Sequence, residues 1–168
     1  MATKYTLKEL MSEDFPNKTY MRRMGYIANM REVKSLFRLI NEEVFYNKLS
    51  MPKIVLKPRL RDCWGICQGA DKPFRKGKSR CTIVLAERWY CKQWLIMSLA
   101  HEMVHQYQWD IYSEIRCKQG KESLMSHGPS FYIFRKRLAK HGIPLREFND
   151  HHKWLSSKEP SMALLFRS

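Results

Sequence analysis

Two histidines and a glutamate stand close together near the middle of the chain, in the segment His101-Glu102-Met103-Val104-His105. Residues four apart lie on one face of a helix, about one turn apart, so both imidazoles can reach one metal ion. Neutral imidazole suits Zn²⁺, and catalytic zinc sites take three protein ligands and leave one position for water. A glutamate at this spacing lies beside that water and can accept its proton. The pattern predicts one zinc ion per chain, with His101 and His105 as ligands and Glu102 as the general base.

A third protein ligand is needed, and several side chains qualify by residue type. His127 fits best, because it stands at the start of the next predicted helix, where a loop can bring it back over the first. Its distance along the chain from His105 excludes the short spacing of the metzincin motif. Two acidic residues and three other histidines remain as alternatives, namely Glu114, Glu122, His141, His151 and His152.

The elements that must position these residues follow from hydrophobic periodicity. Apolar residues at helical spacing predict one helix from Asn29 to about Asn47 and another, containing the motif, from Cys91 to Trp109. We expect the second helix to turn an apolar face to the core and its histidines to the opposite face. A third helix is predicted from Pro129 to Lys140, ending at the capping glycine Gly142.

The strands are predicted from short runs rich in β-branched residues, at 53–58, 63–68 and 80–86. In the N-terminal segment, Thr6 and Glu9 are spaced as a capping box for a short helix. Together these elements predict an α+β fold in which helices pack on a small three-stranded sheet.

The charge of the chain is strongly positive, with 31 Lys and Arg against 16 acidic residues and a formal net charge of +15. Such an excess predicts attraction to polyanions, nucleic acid first. The densest basic cluster lies between the second and third predicted strands; its candidate contact residues are Lys72, Phe74, Arg75, Lys76, Lys78 and Arg80. Cations can hold phosphates, and Phe74 can stack on an unpaired base. We expect DNA binding without sequence preference that favours single strands; the alternative is a solvated hairpin.

Length and composition exclude several classes of protein. At 168 residues and 44% hydrophobic, the chain is long enough for one ordinary domain and too apolar for a disordered protein. It has no apolar run of membrane-spanning length, and its N-terminal segment, which holds acidic residues and no continuous apolar core, is not expected to be a secretory signal. Its five cysteines lack metal-site spacing, so they are expected to be reduced thiols. We expect a cytoplasmic monomer that does not associate with membranes.

Two segments of the sequence resemble the signature of a known family. HEMVH followed by HGPSF is similar to the signature of SprT-like metalloprotease domains, HExxH and then HGxxF. The resemblance extends over residues 30–142: a helix ending in Phe45-Tyr46-Asn47-Lys48-Leu49 before a proline turn, Trp64-Gly65 in a strand, and Thr82-Ile83-Val84-Leu85 before the motif helix.

The resemblance implies a compact zincin-like fold, with His101, His105 and His127 as zinc ligands and Glu102 as catalytic base. It divides the chain into an N-terminal extension (1–28), a metalloprotease domain (29–145) and a C-terminal tail (146–168). Members of the family include proteases that cleave proteins bound to DNA, so a DNA-bound protein is the expected substrate. Residues 143–168 contain no cysteine, so we expect a minimal form without a zinc ribbon.

The sequence is also compatible with two other functions. The chain could be a nucleic-acid-binding protein with structural zinc and no proteolysis, or a peptidase that acts on free proteins independently of DNA. For a peptidase, an extended substrate peptide is expected to add to the edge of the strand Cys81–Ala86.

Overall fold

The computed structural model of the chain describes residues 5–13, 25–58, 60–61, 63–70, 75–113 and 127–146. Its helices are α1 (Leu7–Ser12), α2 (Met30–Glu43), α3 (Lys92–Tyr107), α4 (Pro129–Tyr132) and α5 (Arg135–Ala139), with a π-helical turn, Gln108–Tyr112, continuing α3. Its strands are β1 (Tyr26–Ile27), β2 (Lys53–Lys57), β3 (Gly65–Gly69), β4 (Cys81–Ala86) and β5 (Arg88–Trp89). The α+β class predicted from the sequence is confirmed.

The main sheet has three strands in the order β2-β4-β3, as predicted in number. Strand β4 lies in the centre, parallel to β2 and antiparallel to β3. Both edges of β4 are therefore occupied, and the expectation that a substrate peptide pairs with Cys81–Ala86 is wrong. Strand β4 comes after β2 and β3 in the chain but pairs with both, so it lies between them. The sequence of β4 alone does not indicate this central position.

Helix α3 packs against β3, β4 and α2, so it is buried on more than one side. Its predicted apolar residues Leu99, Met103 and Val104 are fully buried. On the opposite face, Ser98 and Glu102 are only 5% and 7% exposed. This face is buried as well because β3 packs against the helix.

The helix ends that the sequence predicted from capping residues are confirmed among the described residues. Thr6 and Glu9 form the capping box of α1, and the Asn29 side chain accepts a hydrogen bond from the backbone N–H of Glu32 at the start of α2. Gly142 has a φ of 75°, the left-handed conformation expected of a C-terminal capping glycine. The predicted third helix is divided at Ile133 and Phe134 into α4 and α5.

The N-terminal extension contributes to the same core as the rest of the fold. Leu7, Leu10 and Met11 of α1 are at most 5% exposed and join the main hydrophobic cluster. The backbone N–H of Leu7 donates to the carboxylate of Glu43 at the end of α2, which ties the two helices together. Among the described helices none is both long and apolar enough to cross a bilayer.

Candidate metal centre

Three histidine side chains converge at one point of the structure. His101 and His105 project from successive turns of α3, and His127 lies directly before Gly128, the N-cap residue of α4. The Nε2 atom of His105 lies 3.2 Å from that of His101 and 3.2 Å from that of His127. The third separation, between His127 and His101, is 3.3 Å. Among the described residues, this is the cluster of His, Cys, Asp or Glu side chains placed to share a metal ion.

The spacing of the three nitrogens fits a zinc ion. A tetrahedral centre with Zn–N bonds of about 2.0–2.1 Å places its nitrogen ligands about 3.3–3.4 Å apart. The observed separations lie within about 0.2 Å of that range, and three neutral imidazoles are a common catalytic donor set. The cluster therefore fits a catalytic zinc site with one position left for another ligand.

The environment keeps the two α3 histidines neutral, the form that binds metal. Burial lowers the pKa of His101 to about 3, with a further decrease from His105 and His127. Burial likewise lowers the pKa of His105. Each of these rings also has a second partner: the backbone of Arg146 for His101, and the side-chain oxygen of Gln108 for His105.

The aromatic ring of Phe131 forms the floor of the cluster. Its centroid lies 4.9 Å from the ring of His101 and 4.8 Å from the rings of both His105 and His127. Phe131 is fully buried on α4, so one side chain packs against all three imidazoles. This contact gives a physical reason for the phenylalanine four residues after His127.

Glu102 lies against the backbone of β3. Its side chain is 7% exposed, and the backbone N–H of Cys67 donates a hydrogen bond to its carboxylate. Burial raises the pKa of Glu102 to about 7, and the Cys67 hydrogen bond opposes that rise. A methyl group added at Gly65 would lie 3.0 Å from Cγ and 3.2 Å from Oε1 of Glu102. The strand thus approaches the carboxylate closely because residue 65 has no side chain.

The other candidate third ligands are not part of this cluster where the structure describes them. His141 lies against Glu43, with 3.2 Å between Nδ1 and Oε2. Glu114, Glu122, His151 and His152 lie outside the described residues. The cysteines Cys67, Cys81 and Cys91 form no disulfide, and the hydrogen bond from Cys67 to Cys81 raises the pKa of Cys67.

The predicted basic cluster is a hairpin between β3 and β4. Arg75 pairs with Lys78 across a turn in which Gly77 has a φ of 78°, and the side chains of Arg75, Lys76 and Lys78 are exposed. Lys72 and Phe74, also predicted to contact DNA, lie outside the described residues.

Arg80, at the base of the hairpin, is bound to the protein itself. Its guanidinium donates to the backbone carbonyl of Trp109 and, at 3.1 Å, to the hydroxyl of Ser113. The Arg80 backbone N–H donates to the buried carboxylate of Asp110 at 2.9 Å. DNA contact by Arg80 stays a prediction, and these partners indicate that the side chain anchors the hairpin to the π-helical turn.

Sequence reasoning missed three residues that shape the site: Gly65, Gln108 and Phe131. The sequence-based predictions assign no role to Gln108, and they include Phe131 only as part of HGPSF. The position of Gln108, three residues after His105, was a usable signal, because residues three apart share a helical face.

The chain was compared with protein families and with curated proteins. Among curated proteins no match is found. The sequence profile described as the SprT-like family matches residues 33–151, more than two thirds of the chain. That span contains the three histidines, Glu102 and the sheet that covers them. By this match, the chain belongs to the SprT-like family.

Proposed function

We propose that the protein is a zinc-dependent endopeptidase that acts on DNA-associated proteins. Membership of the SprT-like family supports a zincin-like metallopeptidase domain. The observation that carries the proposal is the convergence of three imidazole nitrogens at the spacing of a zinc site, two of them from the helix that also carries Glu102. In this proposal His101, His105 and His127 hold the metal.

Glu102 is the proposed general base. A zinc ion in the cluster would polarise the scissile carbonyl and make a nearby water molecule more acidic. Glu102 would accept the proton of the attacking water on a carboxylate oxygen and then deliver it to the leaving amine. The burial that raises the pKa of Glu102 to about 7 suits a group that must both take and give a proton near neutral pH.

The outer edge of β3 is the proposed binding site for an extended substrate. Hydrogen bonds from Ala86 N–H to the Trp64 carbonyl and from Ala70 N–H to the Arg80 carbonyl place even-numbered residues in the bonded pairs with β4. The backbone groups of Gly65, Cys67 and Gly69 therefore point away from β4. Cys67 N–H meets Glu102, and the other outward groups can pair with a peptide backbone.

DNA association is supported by charge and position. Gly65, which lies against Glu102, and Gly69, where β3 ends before the basic hairpin, are about 13 Å apart along the strand. A DNA strand on the hairpin would hold a bound protein near the β3 edge. This arrangement favours cleavage of proteins on DNA by local concentration alone.

The test is Glu102→Gln, measured by zinc content and by cleavage of casein and histones with and without single-stranded DNA. We expect one zinc per chain in both proteins, and at least a 1,000-fold loss of cleavage, because the amide fits the space but cannot accept a proton. Glu87→Gln, the same change away from the cluster, should cleave at the wild-type rate.

The same assay separates the alternatives. Cleavage that DNA accelerates supports a protease of DNA-associated proteins, whereas equal rates with and without DNA would indicate a peptidase of free proteins. Zinc binding with no cleavage of either protein would indicate a nucleic-acid-binding protein with structural zinc. Wild-type turnover in Glu102→Gln would remove Glu102 from the mechanism.

A further inference from the structure

We propose that Gln108 is a positioning residue of the metal centre, which orients His105 and joins it to the helix that follows His127. The side-chain oxygen of Gln108 lies 2.8 Å from Nδ1 of His105. Its side-chain nitrogen donates to the hydroxyl of Ser130 on α4, also at 2.8 Å. Gln108 and Ser130 are 5% and 7% exposed, so water competes little for either bond. The inference rests on the zinc site of the proposed function.

The first of these bonds selects one tautomer of His105. An amide oxygen only accepts hydrogen bonds, so Nδ1 must carry the proton and Nε2 is left with a free lone pair. Nε2 is the atom that faces His101 and His127, at 3.2 Å from each. Gln108 therefore turns the donor atom of His105 toward the metal position.

The second bond links two segments that are far apart in the sequence. His105 belongs to α3, whereas Ser130 belongs to the first turn of α4, directly after His127. Gln108 begins the π-helical turn, which packs against α4. Single π turns inside helices often occur at functional sites. One amide thus contacts the ring of one proposed ligand and the helix that follows another.

Gln106 provides a matched control because it is also a buried glutamine, two residues before Gln108 at the end of α3. Its amide nitrogen donates to the backbone carbonyl of Ser50 at 2.7 Å and to the carboxylate of Asp110 at 3.1 Å. These bonds connect α3 to the start of the sheet region and to the π turn, without touching a histidine of the cluster. Replacement of Gln106 therefore disturbs buried hydrogen bonds but leaves the histidine rings alone.

The test compares Gln108→Met with Gln106→Met in the full chain, since methionine matches glutamine in length and lacks its polar atoms. We expect Gln108→Met to lower zinc affinity about 10–100-fold in competition with a chromophoric chelator. The visible spectrum of the cobalt-substituted protein should change as well. Gln106→Met should lower the melting temperature of the metal-free protein at least as much, with zinc affinity within about 3-fold of wild type.

A conservative variant distinguishes orientation from packing. Gln108→Glu keeps an acceptor for Nδ1–H, so it should recover most of the zinc affinity that Gln108→Met loses. Wild-type affinity in Gln108→Met, or an equal loss in Gln108→Met and Gln108→Glu, would overturn the inference. A wild-type protein that binds no zinc would instead overturn the proposed function, so the two failures are distinguishable.

Discussion

At the residue scale, His127 is the ligand that brings a second segment of the chain to the metal. It lies before α4, and the Nε2 atoms of His101 and His105 are already adjacent on α3. A catalytic zinc site takes three protein ligands. Two histidines on one helix should therefore bind zinc more weakly than three converging histidines.

We therefore expect His127→Ala to lose most of its bound zinc and nearly all peptidase activity. His141→Ala is the matched control, since His141 pairs with Glu43 away from the cluster. Glu122→Ala should also retain zinc. Metal content after dialysis, measured by atomic emission, checks the result; zinc retained by His127→Ala and lost from Glu122→Ala would assign the third ligand to Glu122.

Gly65 leaves space for the carboxylate of Glu102. A glycine inside a strand normally weakens the strand, and it often marks a position where another group approaches the backbone closely. That group is Glu102, together with Leu85 of β4, whose Cδ2 would lie 2.9 Å from an added methyl group.

Gly65→Ala should lower kcat about 10–100-fold, with zinc content unchanged, because a displacement of about 1 Å at a catalytic group can cost that much. Overpacking should also lower the free energy of unfolding by about 1–3 kcal/mol. Steady-state kinetics and urea unfolding measure the two effects. Adding Leu85→Val relieves the other close contact; if that change restored kcat, the loss would come from strand packing and not from Glu102.

At the element scale, the hairpin between β3 and β4 carries exposed cations, and hydrogen bonds to Asp110 hold its base in place. Asp110 of the π turn is 5% exposed and accepts hydrogen bonds from the hydroxyl of Ser79 at 2.6 Å and from the backbone of Arg80 at 2.9 Å. The cations beyond this anchor, Arg75, Lys76 and Lys78, are exposed. The element can thus present charge while its base stays bound to the π-helical turn.

Replacing Arg75, Lys76 and Lys78 together with Ala should weaken single-stranded DNA binding and flatten its salt dependence. Each phosphate contact contributes about 0.7 to the slope of log K against log salt, so three lost contacts remove about two units. Titration of labelled oligonucleotides at several salt concentrations gives the slope.

The matched control removes the same charge from another surface. Arg31, Lys34 and Arg38 are exposed on α2, and their joint replacement by Ala leaves the hairpin intact. We expect a much smaller change in slope for this variant. An equal effect of the two triple variants would show that only the overall charge matters, and an unchanged slope in the hairpin variant would place the DNA contacts elsewhere.

At the scale of the whole molecule, the hydrophobic core extends well beyond Phe131, the core residue that packs against the three histidines. The three histidines are half-buried, whereas the core joins α1, α2, α3 and β4 through fully buried side chains that include Leu7, Phe37, Ile40, Ile83 and Leu99. A domain of this size can fold on apolar burial without a metal.

Removal of zinc by a chelator should therefore lower stability without unfolding the protein. A ligand at 1,000 times its Kd stabilises the folded state by about 4 kcal/mol, so the metal-free protein should lose roughly that amount and melt at a lower temperature. Far-ultraviolet circular dichroism should keep its helical signal at 25 °C. Loss of that signal on chelation would show that zinc is needed for the fold itself.

The amino-acid sequence by itself determined the features that depend on neighbours along the chain. The i, i+4 spacing of His101 and His105 places both on one helical face, and Thr6 and Gly142 mark helix ends. These features were predictable because backbone geometry within a few residues sets them. The three strands and the family followed from equally local patterns.

Tertiary structure alone decided the features that depend on segments far apart. The central position of β4, the burial of both faces of α3, and the contact of Gly65 with Glu102 arise from how strands and helices pack. The link from His105 through Gln108 to Ser130 crosses between two helices in the same way. Local spacing does not specify such contacts, because each forms only when the chain closes long loops and buries its apolar surface.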